Sequence, residues 1–272
     1  MPTPPEAQAR AARTYNAASD SYDHPANAFW ERFGRSTVAR LGLKPGAQVL
    51  DVCCGSGASA LPAAERVGPS GDVLGLDLAD RLLELARAKA GQRQLTNARF
   101  AIGDLEALAP DLGDFDTVVC VFGIFFVPDM ARAVAGLWSH VRPGGSLAIT
   151  TWGADTFEPA NTAFWEAVRQ EAPELHKAFN PWDRIATPEG LSAIFEAAGV
   201  ADVVITSETG SHPLRSVEDW WTIVMGSGFR GTVEKLAPPA RERVRTNTLA
   251  ALEAAHVKDV TTSALYAVAR KG

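Results

Sequence analysis

Residues 49–60 read VLDVCCGSGASA. An apolar run enters two adjacent cysteines, passes a glycine pair and leaves into an alanine-rich stretch. The run before the glycines reads as a short buried strand and the stretch after them as a helix. Gly55-Ser56-Gly57 with Ala60 satisfies the G-x-G-x-x-[GA] spacing of a strand–loop–helix turn that holds a nucleoside ligand. Asp77 ends the next strand 20 residues after Gly57, where a ribose-binding acid belongs. The cysteine pair suggests a thiol or metal site instead, but adjacent residues at a strand end point to opposite faces. No His or further Cys lies near at ligand spacing. Cys53 and Cys54 therefore read as packing residues, with Cys54 lining the ligand pocket, and no metal is expected.

Outward from this turn a strand–helix rhythm continues. AQVLDVC, DVLGLDL, ARFAIGD, DTVVCVFGIFF and SLAITTW read as five strands, the fourth apolar throughout, as a central parallel strand is. SALPAAERV, ADRLLELARAKAG (with Gly91 as its stop) and DMARAVAGLWSHV read as the helices between, and RPGG as a sharp turn. Such alternation implies right-handed βαβ units and a doubly wound α/β sheet. After Trp152 the rhythm breaks. Residues 153–186 are rich in aromatics and proline and read as a lid. TPEGLSAIFEAAGV restores a helix with a Thr N-cap and Pro following, and ADVVITSE gives a sixth strand. Residues 212–257 read as helical and inserted. TTSALYAVARK gives a seventh strand, expected at the sixth position of the sheet.

The 272 residues carry 46% hydrophobic and 21% charged side chains and a net charge of −6, the balance of a soluble globular chain with ample core. An acidic surface repels phosphate backbones, so nucleic acid is not an expected partner. The longest apolar run, Val118–Val127, is too short to span a bilayer and the N-terminal residues lack a signal-peptide core. Three cysteines offer no disulfide framework. A cytoplasmic protein with reduced thiols, no membrane contact, and a monomeric or homodimeric state is expected.

The glycine turn alone admits NAD; Asp51 separates the alternatives. A carboxylate within the first strand, directed to the loop, opposes a pyrophosphate but favours a ligand bearing a sulfonium and an ammonium, S-adenosylmethionine. Asp104, after the third strand, can accept from an adenine amino group. Leu78 and Leu105 can sandwich a purine, and Leu82 can close the pocket from the following helix.

VLDVCCGSG, GLDLA, GDLEAL and VRPGG resemble the successive motifs of class I S-adenosylmethionine-dependent methyltransferases. The likeness is to the small-molecule group that includes ubiquinone and menaquinone C-methyltransferases, and it covers about residues 45–152. The resemblance implies a Rossmann-like doubly wound sheet of seven strands with an antiparallel terminal strand, plus helical cap and lid insertions. The implied division is an N-terminal cap over 1–44, a cofactor core over 45–152 and a lid over 153–186. A core helix and strand six over 187–209, a helical substrate insertion over 210–257 and the terminal strand over 258–272 complete it. Asp51, Cys53, Cys54, Gly55, Ser56 and Gly57 would surround the methionine end. Asp77 would bind the ribose hydroxyls; Leu78, Leu82, Gly103, Asp104 and Leu105 would surround the base. Phe122 would lie beside the transferred methyl, with Tyr15 and Tyr22 of the cap over the cofactor. The product would be S-adenosylhomocysteine. Where the family motif has its first glycine this chain has Cys53, at a position expected to need no positive φ.

The end of the fourth strand reads FGIFF, without the polar residues that grip an extruded base. The catechol-type metal carboxylates are likewise replaced by Phe122 and Trp152. Phe29, Trp30, Phe157, Trp165, Trp182, Trp220, Trp221 and Phe229 fall in the three segments that would roof the site. Phe29, Trp30, Phe126, Trp152, Phe157, Trp182 and Trp221 are the candidate walls of an apolar acceptor chamber. His24, His176 and His212 lie in roofing segments and are candidate bases; His140 is expected on the solvent side of its helix. The reaction implied is in-line methyl transfer to O, C or N of a small hydrophobic acceptor in bacterial secondary or quinone-type metabolism. A non-methylating, cyclase-like S-adenosylmethionine binder and an NAD(P)-dependent oxidoreductase are the alternatives.

Overall fold

In the computed structural model, which describes residues 4–272, the alternation expected from the sequence forms one seven-stranded sheet. Strands β1 (Gln48–Val52), β2 (Asp72–Asp77), β3 (Ala98–Ile102), β4 (Phe115–Val121), β5 (Val141–Trp152), β6 (Val204–Pro213) and β7 (Asp259–Arg270) lie in the order β3-β2-β1-β4-β5-β7-β6. The first five pair in parallel, while β7 runs antiparallel between β5 and β6, at the sixth position. Residues 1–3 of the N-terminal cap lie outside the described residues.

Helices α3 (Ala60–Val67), α4 (Asp80–Gln92), α5 (Met130–Ser139) and α7 (Pro188–Ala197) connect the strands. Period-2 alternation sorts each central strand onto two faces. Val118 and Cys120 of β4 join the larger apolar cluster and Val119 the smaller one; Leu147 and Ile149 of β5 join the larger, Ala148 the smaller. The Thr187 side chain caps α7 by accepting from the Gly190 N–H, and Gly68 closes α3. Because β2 and β3 follow β1 to one side and β4 to the other, the chain reverses direction between β1 and β4. A crevice opens there at the carboxyl ends of the strands.

The roof is helical: α1 (Pro4–Tyr22) and α2 (Phe29–Ala39) from the N-terminal segment, and α6 (Ala160–Glu171) after β5. Between β6 and β7 come α8 (Glu218–Met225), α9 (Arg230–Val233) and α10 (Pro238–Ala254).

Several boundaries differ from the sequence expectation. The fourth strand stops at Val121: Phe122 takes φ 54°, and Ile124–Phe126 form a 3₁₀ turn that carries the aromatic run out of the sheet. RPGG is no turn but part of β5, where three extra residues are absorbed by a register shift against β4 between the Phe115–Val141 and Thr117–Ser146 pairs. Strand six runs to Pro213, past the expected start of the helical insertion at 210, because it pairs with β7 from Val268 back to Asp259. Gly91 lies within α4, which ends one residue later. His140 is buried, its Nδ1 3.0 Å from the Gly113 carbonyl oxygen.

Candidate functional site

The loop after β1 is wound by three residues in the left-handed region. Cys53 has φ 62°, Gly55 53° and Gly57 89°. The expectation for Cys53 was wrong in this respect: the chain must turn sharply as it leaves β1, so a cysteine occupies a conformation that glycine adopts more readily. Its thiol packs against Cys120 and Gly123, and a hydrogen bond with Cys120, followed by burial, raises its pKa. All three cysteines are free. The hydroxyl of Tyr22 lies over Gly55, where a Cβ would come within 3.0 Å of it.

A cavity of about 360 Å³ opens above this loop. Tyr15, Tyr22, Cys53, Cys54, Gly55, Asp77, Leu78, Leu82, Gly103, Asp104, Leu105 and Phe122 line it, twelve of the expected cofactor residues. Asp77 is fixed at its floor: Oδ2 accepts from the Gly55 N–H and Oδ1 from the Ala79 N–H, both at 2.8 Å. Burial raises its pKa, while these backbone donors and that of Leu78 oppose the rise. Asp104 accepts from the Glu106 N–H at 2.9 Å.

Three expected contacts lie behind the lining instead. Ser56 donates to Asp23 at 2.6 Å and receives the Lys89 ammonium at 2.9 Å, pinning the loop between α1 and α4. Gly57 packs against Leu61. Asp51 is 1% exposed and stands one hydrogen bond behind the wall: Ser59, which does line the cavity, donates to its Oδ2 at 2.7 Å. Its Oδ1 is buried without a partner, and desolvation, the largest effect, pushes its pKa up to about 7.

Beyond the loop the walls become aromatic. Trp152 stacks on Phe122 with centroids 3.9 Å apart, and Trp30 stacks on Tyr22 at 5.4 Å. Trp30, Phe126, Trp152, Phe157 and Trp182 line the chamber as expected. Phe29 does not; it sits behind the wall and braces Trp30 at 4.7 Å and Trp152 at 6.1 Å. Trp221 packs against the core from α8 without reaching the chamber.

Among the described residues no histidine lines the cavity, which removes all three candidate bases from contact. His24 caps the turn Pro25–Asn27 through Nδ1, accepting from the Ala26 N–H. His212 is buried, with Nε2 2.9 Å from the Ala26 carbonyl oxygen, and desolvation lowers its pKa. His176 lies edge-on to Trp165. The two cavity tyrosines are poor replacements, since burial raises both phenol pKa values. Sequence reasoning passed over Phe125 and Asn180, the α1 face from Gln8 to Thr14, and the cations Arg10, Lys177 and Lys235. Only the periodicity of α1, with Gln8, Ala11, Ala12, Tyr15 and Tyr22 on one side, carried a signal for them.

A methyltransferase-domain family model matches residues 49–145, the segment that builds the glycine loop and the acids around it. Demethylmenaquinone methyltransferase of Lactococcus lactis is 31% identical over 175 residues, 62% of this chain and 69% of that protein. Aklanonic acid methyltransferase DauC of Streptomyces is 31% identical over 201 residues, 70% of this chain and 90% of that protein. The chain is a class I S-adenosylmethionine-dependent methyltransferase. The fold extends over the whole methyltransferase: the solved structure of YjhP from E. coli superimposes with a TM-score of 0.57 at 18% identity, covering 95% of this chain and 100% of that one. The cofactor of this methyltransferase is S-adenosylmethionine, and no described helix is long and apolar enough to cross a membrane.

The site fits this cofactor. The acids Asp77 and Asp104 at its wall, with Asp51 one hydrogen bond behind, suit a ligand without phosphates. Asp51 Oδ1, buried and unpartnered, would favour a cationic methionine end through the loop in front of it.

Proposed function

We propose that this methyltransferase transfers a methyl group to a small, largely apolar, ring-bearing acceptor held in the chamber between Phe122 and the helical roof. The observation that carries the reading is the chamber wall. Its central rings, Trp30 of α2, Phe122 just after β4, Trp152 at the end of β5 and Phe157 in the loop that follows, pack on one another at 3.9–5.6 Å. Such a wall offers flat faces to a conjugated acceptor and few hydrogen bonds to a polar one.

The bound cofactor supplies an electrophilic methyl on a sulfonium. The chain's own part is binding and alignment. Asp77, oriented by the Gly55 and Ala79 N–H groups, holds the ribose hydroxyls. Asp104 and Leu105 meet the base, and the buried charge of Asp51 favours the cationic end. Phe122 and Tyr15 confine the acceptor, and the roof excludes water. Alignment of this kind contributes on the order of 7–11 kcal/mol in favourable cases. With no histidine among the described residues that line the chamber, the acceptor reacts through an atom that ionises or bears a lone pair without a histidine's help. The relatives named for demethylmenaquinone and aklanonic acid support an acceptor from quinone-type or secondary metabolism. An acidic chain in the cytoplasm with no nucleic acid partner completes the reading.

The test is product mass. Incubation with S-adenosylmethionine and a panel of hydroxylated aromatic acceptors should yield products heavier by one methylene, with equimolar S-adenosylhomocysteine. An isomerised acceptor of unchanged mass would favour a cyclase-like activity and overturn the proposal.

A further inference from the structure

One corner of the chamber carries charge that methyl transfer to an apolar ring leaves without a use. Arg10 of α1, Lys177 after the turn Pro173–Leu175 and Lys235 after α9 all line the cavity, so three separate segments of the roof deliver a cation to the same space. Among the described residues none of the three forms an ion pair or a side-chain hydrogen bond; the ammonium of Lys177 has the Trp165 ring, 5.6 Å from its centroid. The acids of the lining are engaged elsewhere. Asp77 is held by Gly55 and Ala79, Asp104 by Glu106, and Glu106 receives the Gln8 amide at 3.1 Å.

The three residues are open to water at the mouth, yet protein surrounds Lys177 closely enough that desolvation, and then the charges of Lys235 and Arg10, lower its pKa. Like charges gathered without a counter-ion raise one another's energy, and an entering anion relieves that repulsion. In a chain of net charge −6 such a positive mouth also stands out as a means of steering. The corner is distant from the cofactor loop. Tyr22 covers Gly55, and Arg10 precedes it by twelve residues on the same helix, about 18 Å along the axis at 1.5 Å per residue. Tyr15, which also lines the cavity, lies between them on α1.

We propose that Arg10, Lys177 and Lys235 form an anchoring site for an anionic head group, a carboxylate or a phosphate ester, on the methyl acceptor. The acceptor is then an aromatic-bodied anion whose charged end sits at the mouth and whose reacting atom faces Phe122. This rests on the reading that the chamber holds the acceptor. Each exposed cation contributes modestly alone, but a ring buried against the tryptophans fixes the head group among all three and keeps it there.

The experiment uses the full chain saturated with S-adenosylhomocysteine and measures binding of matched probes by calorimetry. The probes are naphthoate, naphthyl phosphate and neutral naphthamide, with one-ring and three-ring counterparts of each. At least one anion series should bind about tenfold more tightly than its amide, and whichever is tighter identifies the head group. That preference should shrink with added salt. It should fall to near unity in the Lys177→Gln/Lys235→Gln and Arg10→Gln variants, while affinity for S-adenosylhomocysteine stays unchanged. Equal or weaker binding of the anions across the whole panel, no binding by any probe, or a preference that survives all three substitutions overturns the proposal. Loss of S-adenosylhomocysteine binding in the variants also overturns it, because the cations would then serve the cofactor. Failure of the unaltered chain to bind S-adenosylhomocysteine would instead strike the methyltransferase reading itself.

Discussion

Asp51 is the residue on which structure adds most to its sequence reading. Its place in the first strand distinguishes a cationic ligand from a dinucleotide, yet the side chain is buried behind Ser59 with one oxygen unpartnered. Burial raises its pKa from the ordinary carboxylate range to about 7. Between these values the folded chain keeps a proton that the unfolded chain has lost. Stability from this group is therefore present below the ordinary carboxylate pKa and is lost as pH rises towards 7. The loss is on the order of 4 kcal/mol before relaxation is allowed for. Asp51→Asn keeps an acceptor for Ser59 and removes the charge. Without ligand, its melting temperature relative to the unaltered chain should rise between pH 5 and about pH 7 and level off above that, while its affinity for S-adenosylmethionine falls. Parallel melting curves across that range would show that Asp51 does not titrate there.

At the scale of elements, α2 decides how closely the roof approaches the loop. A Cβ at Gly34 would collide with the carbonyl of Ala58 and lie 2.9 Å from the Ser59 nitrogen, both backbone groups at the start of α3. Neither can yield without moving the loop. Gly34→Ala should cost about 1–3 kcal/mol by overpacking, a drop of roughly 2–10 °C in melting temperature, and should weaken S-adenosylhomocysteine binding as Ser59 and Asp51 shift. Unchanged melting would mean that α2 is free to slide. α2 itself was visible in the sequence as part of an aromatic cap segment. Its contact with Ala58 was not, because a glycine in a helix gives no sign of which backbone it must admit.

For the whole molecule, the sheet and the roof differ in what holds them. The strands are cross-linked by a continuous ladder, whereas α1 is held by packing against α4, α8 and α9. Ligand at a hundredfold excess over its Kd adds about 2.7 kcal/mol of stability. Hydrogen exchange should show that protection concentrated in α1 and residues 153–186, with little change in β4 and β5. Equal slowing throughout would indicate that the roof does not close on the ligand.

The sequence by itself determined the sheet and the cofactor. Strand–helix alternation, the Gly55–Gly57 turn and Asp77 at its fixed distance are local patterns whose spacing is dictated by backbone geometry. The left-handed turn at Cys53, the early end of β4 and the retreat of the histidines from the chamber were decided only by tertiary structure. So was the meeting of Arg10, Lys177 and Lys235. They depend on which side chain faces which neighbour across elements up to 225 residues apart in the chain, and no local spacing carries that information. The loop reads from its letters, but the acceptor's shape and charge are written in the way three distant segments close over it.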